Sequence, residues 1–95
     1  MSRYPDAVVI GAGIVGAACA EALARDGMQV LVLDESFAGS GTTAAGMGHL
    51  VVMDDTPPQL ALTAYSARLW ASLAPELPRN VEHEPCGTLW VAEDE

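Results

Sequence analysis

The chain has 95 residues, half of them apolar and 18% charged, which is the composition of a soluble globular protein with room for one small domain. Thirteen acidic residues against four arginines and no lysine give a formal charge of -9, which argues against a nucleic-acid or anionic-membrane surface as a partner. No apolar run is long enough for a membrane span, and Cys19 and Cys86, without metal-ligand spacing, read as reduced thiols of a cytoplasmic protein.

The first predicted element is a buried strand over Ala7-Val8-Val9-Ile10, followed by a glycine turn and the start of a helix. Gly11, Gly13 and Gly16 complete the G-x-G-x-x-G spacing. Gly11 permits a tight turn out of the strand, Gly13 permits close approach of a pyrophosphate to the backbone, and Gly16 permits the helix to lie against the strand. The free amides and positive dipole end of that helix would receive the phosphates. Arg3 ahead of the apolar run imitates a secretory signal, but Asp6, the three glycines and the strand that follows argue against one.

Residues 17–26 are mostly good helix formers, with Ala17, Ala20 and Ala24 as a small-residue stripe for packing on a sheet and Cys19 as a small core residue. Gly27 ends the helix. The second strand, Gln29 to Leu33, is apolar throughout, as in a parallel sheet covered on both faces, and stops at Asp34-Glu35. An acidic residue about 20 positions beyond the glycines is where a Rossmann fold binds an adenosine ribose. The fold class is therefore α/β: the N-terminal part of a Rossmann-like dinucleotide-binding domain, with a parallel sheet and flanking helices.

From Ser36 to Gly48 the chain interleaves Ser and Thr with Gly and Ala, which reads as a segment lining an extended cofactor rather than a linker, because of its position after the acidic strand end. A short strand is expected over His49–Met53, with His49 more readily a buried structural residue than a cofactor neighbour. Thr56 as N-cap, Pro57 at N1 and Gln59 announce a helix to about Leu73, stopped by Pro75 and Pro78, with Leu62, Tyr65, Leu69 and Leu73 on its apolar face and Trp70 packing beside them. Asp54 and Asp55 favour that helix's dipole and, without His or Cys partners, suggest no metal site. His83, between two glutamates, reads as solvated. Thr88–Ala92 reads as a strand opening another domain.

Three features together resemble the N-terminal part of the D-amino acid oxidase superfamily of FAD enzymes, which includes glycine oxidase, sarcosine oxidase and D-amino acid dehydrogenases: the Gly11–Gly16 motif, the Asp34-Glu35 strand end, and Thr42-Thr43-Ala44-Ala45-Gly46-Met47. Cys86 to Val91 resembles the entry to the substrate domain of that superfamily. The resemblance implies an enzyme that oxidises the C–N bond of a small amino acid or secondary amine by hydride transfer to flavin, with an oxygen or electron-transfer acceptor, or a companion subunit, as partner. The similarity is closest to dehydrogenases of D-amino acids or cyclic imino acids such as hydroxyproline. It implies that Gly11, Gly13, Ile14, Val15 and Gly16 hold the pyrophosphate, that Asp34 and Glu35 hold the adenosine, and that Thr42, Thr43, Ala45, Gly46 and Met47 line the path to the isoalloxazine. Relatives with covalent FAD carry a histidine at the Thr43 position, so FAD is expected to be non-covalent.

Residues 1–85 are accordingly expected to form part of the FAD-binding domain, and 86–95 to start a strand leading to a substrate domain beyond Glu95, where the catalytic residues would lie. The 95 residues alone are expected to be catalytically silent. Two other readings remain open: an NAD-dependent dehydrogenase, since the acidic pair repels only the NADP phosphate, and a non-catalytic FAD-binding subunit of an oxidoreductase complex.

Overall fold

Four residues of β1 (Ala7–Ile10) pair in parallel with four of β2 (Val30–Leu33), in the register Ala7 to Val30 through Ile10 to Leu33. Parallel neighbours need a long crossover, and α1 (Ile14–Arg25) provides it. The structure, a computed structural model, describes residues 3–53 and 55–93. It divides into two compact units, Met1–Gly48 and His49–Glu95.

In the first unit α1 starts three residues earlier than its helix-forming composition suggests, directly from the glycine turn. It ends at Asp26, where Gly27 takes φ +92° and donates to the Ala24 carbonyl while Met28 donates to Leu23. That pair of bonds is the Schellman arrangement, which needs a residue without a Cβ at this point. The face turned to the sheet is Gly16, Ala20 and Leu23, whereas Ala17, Ala24 and Cys19 are exposed. The expected stripe was one step out of phase because the contact is set by Gly16, whose missing Cβ lies against Val9.

The sheet is covered on one side only. Ala7 and Val9 are half-buried, but Val8 and Ile10 on the alternate face are exposed, Ile10 by 87%. The strands were expected to be covered on both faces; among the described residues this unit has no helix on the second face, and no described residue of the chain is fully buried. A short helix, α2 (Thr42–Ala45), completes the unit.

The second unit is built on α3 (Pro57–Leu73), followed by single helical turns at Ala74–Glu76 and Arg79–Val81. Thr56 is its N-cap: the side-chain oxygen accepts from the Gln59 amide at 3.3 Å, and Pro57 occupies N1, where no amide is needed. Asp54 lies outside the described residues, as do Asp94 and Glu95.

The covered face of α3 is Thr63, Ser66, Ala67, Trp70 and Leu73, while Leu62, Tyr65 and Leu69 of the expected apolar stripe are exposed. Two features select that face. The Thr63 hydroxyl accepts from the Met53 amide at 2.9 Å and donates to the Gln59 carbonyl at 2.8 Å, and Trp70 stacks on His83 with ring centroids 6.5 Å apart. His83 is therefore half-buried rather than solvated, and His49 is exposed rather than buried. Neither His49–Met53 nor Thr88–Ala92 forms a strand; an extended run becomes a strand only by pairing, and the described residues pair no third one.

Replacing Thr56 with Ala removes the α3 cap and is expected to destabilise the intact protein by about 1 kcal/mol, read from its denaturant midpoint at unchanged slope.

Candidate functional site

The β1–α1 turn extends the sheet by one bond, from the Gly11 amide to the Leu33 carbonyl at 2.7 Å, then breaks away as Gly11 takes φ +110°. A Cβ at Gly16 would collide with the Gly11 carbonyl oxygen, so the first helical turn can fold back on the strand end only without one. Gly13 precedes the helix as its N-cap residue in extended conformation and has no side chain to offer the helix amides.

Partners for this turn come from the segment after β2. The Ala12 amide donates to Asp34 Oδ2 at 2.8 Å, and the Ser36 amide donates to the other Asp34 oxygen at 2.8 Å. The Ala12 carbonyl accepts from the Gly39 amide at 2.8 Å. The Ile14 amide donates to Thr43 Oγ1 at 3.0 Å. These bonds lay the 34–46 segment along the turn.

Asp34 is exposed, and the Ala12 amide first and the Ser36 amide second hold its carboxyl below the ordinary aspartate range. Both contacts favour the charged form, so the side chain stays ionised through the neutral range. Beside it opens a cleft of about 510 Å³ lined by Ile10, Gly11, Leu33, Asp34, Glu35, Ser36, Ser40 and Gly41. It lies at the carboxyl ends of the two strands, the position where open α/β sheets receive ligands.

Of the residues singled out from the sequence, Gly11, Asp34 and Glu35 line this cleft. Gly13 and Ile14 meet Thr43, and Gly16 closes on Gly11. Val15 is exposed in the first turn of α1. Thr42 and Ala45 belong to α2 and Gly46 caps it, while Met47 is 83% exposed and does not line the cleft. Ser36, Ser40 and Gly41 also line it, and they belong to the 36–48 segment whose interleaved glycine, serine and threonine after the acidic strand end mark it in the sequence as cofactor-lining.

The two free thiols, Cys19 and Cys86, are both exposed. Among the described residues no group of His, Cys, Asp or Glu is arranged to hold a metal ion, and no helix is long and apolar enough to cross a membrane.

A parallel strand pair joined through a glycine turn and a helix, with carboxylates at the end of the second strand, defines a dinucleotide-binding β-α-β unit. The family is given by comparison. Residues 6–95 match the model of the DAO family, described as FAD dependent oxidoreductase, and the chain belongs to that family. It is 38% identical over 94% of its length to the tRNA 5-methylaminomethyl-2-thiouridine biosynthesis bifunctional protein MnmC of Cupriavidus necator, of which it covers 14%. It is 34% identical over 81% of its length to the glycine oxidase of Bacillus subtilis, covering 22% of that protein. It is also 34% identical over 88% of its length to an Escherichia coli protein named "Probable electron transfer flavoprotein-quinone oxidoreductase YgcN", covering 18%. The chain thus spans less than a quarter of the length of these relatives. No solved structure matches it with significance.

Two substitutions test this geometry. Gly16→Ala forces the Gly11 carbonyl to move and is expected to destabilise the intact protein by about 2 kcal/mol, measured by chemical unfolding. Because the folded-state pKa of Asp34 is lowered, its contribution is complete above the ordinary aspartate value and is lost as pH falls through the folded value. The stability difference between wild type and Asp34→Asn is therefore expected to be largest near neutrality and to shrink below about pH 4, measured by unfolding at a series of pH values.

Proposed function

We propose that this chain is the dinucleotide-binding portion of an FAD-dependent enzyme that oxidises the C–N bond of a small amino acid or secondary amine, with D-amino acids and cyclic imino acids such as hydroxyproline as the substrate class. Membership of an FAD-dependent oxidoreductase family carries the redox part of the proposal. Two relatives' names support the substrate class: one acts in the biosynthesis of a methylaminomethyl group, itself a secondary amine, and the other is a glycine oxidase. The quinone oxidoreductase name supports an electron-transfer partner as an acceptor alongside oxygen.

The donor set of the turn fits FAD. In our reading the pyrophosphate lies at the N-terminus of α1, over Gly11, Gly13, Ile14, Val15 and Gly16, where the open first-turn amides of Val15 and Gly16 and the helix dipole attract an anion, the Ile14 amide being held by Thr43. Asp34 and Glu35 take the adenosine ribose hydroxyls; each Asp34 oxygen accepts one backbone amide and retains a further lone pair for a hydroxyl. Thr42, Thr43, Ala45, Gly46 and Met47 continue toward the isoalloxazine. FAD is held non-covalently, since a threonine hydroxyl stands at position 43 where a histidine would be the attachment point. Bound FAD supplies the acceptor for the substrate hydride. The chain's own residues bind and orient it. The substrate domain begins near residue 86, and two unpaired thiols suit a cytoplasmic protein.

Anaerobic absorption spectroscopy of the purified protein tests the proposal. Oxidised-flavin bands are expected, and they should bleach on addition of a D-amino acid or hydroxyproline. A colourless protein that binds NADH instead would replace the flavin reading with a nicotinamide one.

A further inference from the structure

The segment after β2 is tied to the glycine turn by three hydrogen bonds of two kinds. Asp34 and Gly39 satisfy the amide and the carbonyl of Ala12, both in the turn itself. Thr43 acts on the helix: its oxygen accepts from Ile14, the first residue of α1. A helix start exposes amides that lack intrahelical partners, and a Ser, Thr, Asp or Asn at the N-cap normally accepts from one of them. Here the N-cap is Gly13, which cannot.

The missing side chain at position 13 and the oxygen at position 43 are complementary. A Cβ built on Gly13 would stand 2.9 Å from Thr43 Oγ1, tighter than such contacts allow. A serine or threonine at the N-cap would therefore obstruct Thr43 as well as replace it. The capping oxygen has been moved from the helix's own N-cap to a residue 29 positions beyond Ile14, on α2.

We propose that Thr43 is the positioning residue of this site: its side-chain oxygen caps α1 from α2, so that the helix end and the 37–46 segment are organised as one unit by the protein's own atoms before a dinucleotide arrives. Only the predicted effect on FAD affinity rests on the flavin reading above. The cap itself does not. Thr43 has a hydroxyl for the Ile14 amide and a compact side chain that fits beside Gly13. Thr43→Ser preserves the acceptor, whereas Thr43→Val preserves the shape and leaves the amide facing a methyl group.

The test uses the intact protein stripped of flavin, with amide hydrogen exchange, thermal unfolding and FAD titration as readouts. In wild type the Ile14 amide is expected to exchange more slowly than that of Val15, for which no described residue provides an acceptor. A typical cap corresponds to about a fivefold change in local opening, so Thr43→Val should speed Ile14 exchange about fivefold and weaken FAD about fivefold. Its flavin-free unfolding midpoint should fall by about 2 °C, with Thr43→Ser close to wild type in all three. Equal exchange of Ile14 and Val15 in wild type overturns the proposal without any variant, and so applies even if Thr43→Val does not fold. A Thr43→Val protein that loses FAD affinity while its flavin-free stability and Ile14 exchange are unchanged also overturns it. If no form binds FAD but Thr43→Val still loses stability and Ile14 protection, the cap stands and the flavin reading fails.

Discussion

The backbone polar groups of the turn between β1 and α1 need partners, and the residues that permit the turn cannot supply them. Glycine at 11, 13 and 16 allows a positive φ and a helix start pressed against the strand end. It also removes the side chains that would normally cap the helix. The partners have to come from elsewhere in the chain, and they come from the segment that leaves β2. Asp34, Gly39 and Thr43 each complete a backbone group of the turn. The cleft at the strand ends follows from this arrangement, since the same segment forms its wall.

The anion site proposed at the start of α1 lies in a chain with formal charge -9 and no lysine, so its attraction for phosphate needs an explanation in physical terms. The attraction comes from oriented amides and the helix dipole rather than from cations. Such a field is local to the first turn of α1, whereas the net charge is spread over a solvated surface and screened beyond about 10 Å in ordinary salt. The carboxylate nearest the turn, Asp34, is engaged by two amides and sits at the strand end. Hydroxyl recognition beside phosphate recognition can therefore coexist within a few residues. Dinucleotide-binding β-α-β units pair these two functions at the glycine turn and at the end of the second strand.

Each unit leaves apolar surface in water. The first packs one helix on one face of a two-stranded sheet, and Val8 and Ile10 stay exposed on the other. The second leaves Leu62, Tyr65 and Leu69 exposed along α3. An α/β fold closes its core by covering both faces of a sheet, so burial in these units is incomplete and local hydrogen bonds carry an unusual share of their organisation. Caps, the Gly27 helix end and the Thr63 contact with Met53 are of this kind.

Local chemistry was readable along the sequence. The Gly11–Gly16 spacing, the Gly27 helix end, the Thr56-Pro57 helix start and the acidic end of β2 all depend on residues a few positions apart, and each is found where the residue types require it. The family was legible for the same reason, because its motifs are short and contiguous. What only the tertiary structure decided was the choice among faces and partners. Periodicity alone made Leu62, Tyr65 and Leu69 the inner face of α3, but the Thr63 hydroxyl and the Trp70–His83 stack turned another face inward. The Ala17–Ala24 stripe lost to Gly16, Ala20 and Leu23 because a close backbone contact, rather than side-chain size, sets the phase of α1. Thr43 could be named from its motif but not placed at Ile14. An amide 29 residues away becomes its partner only when two helices and a strand have brought them together, and no local propensity encodes that distance.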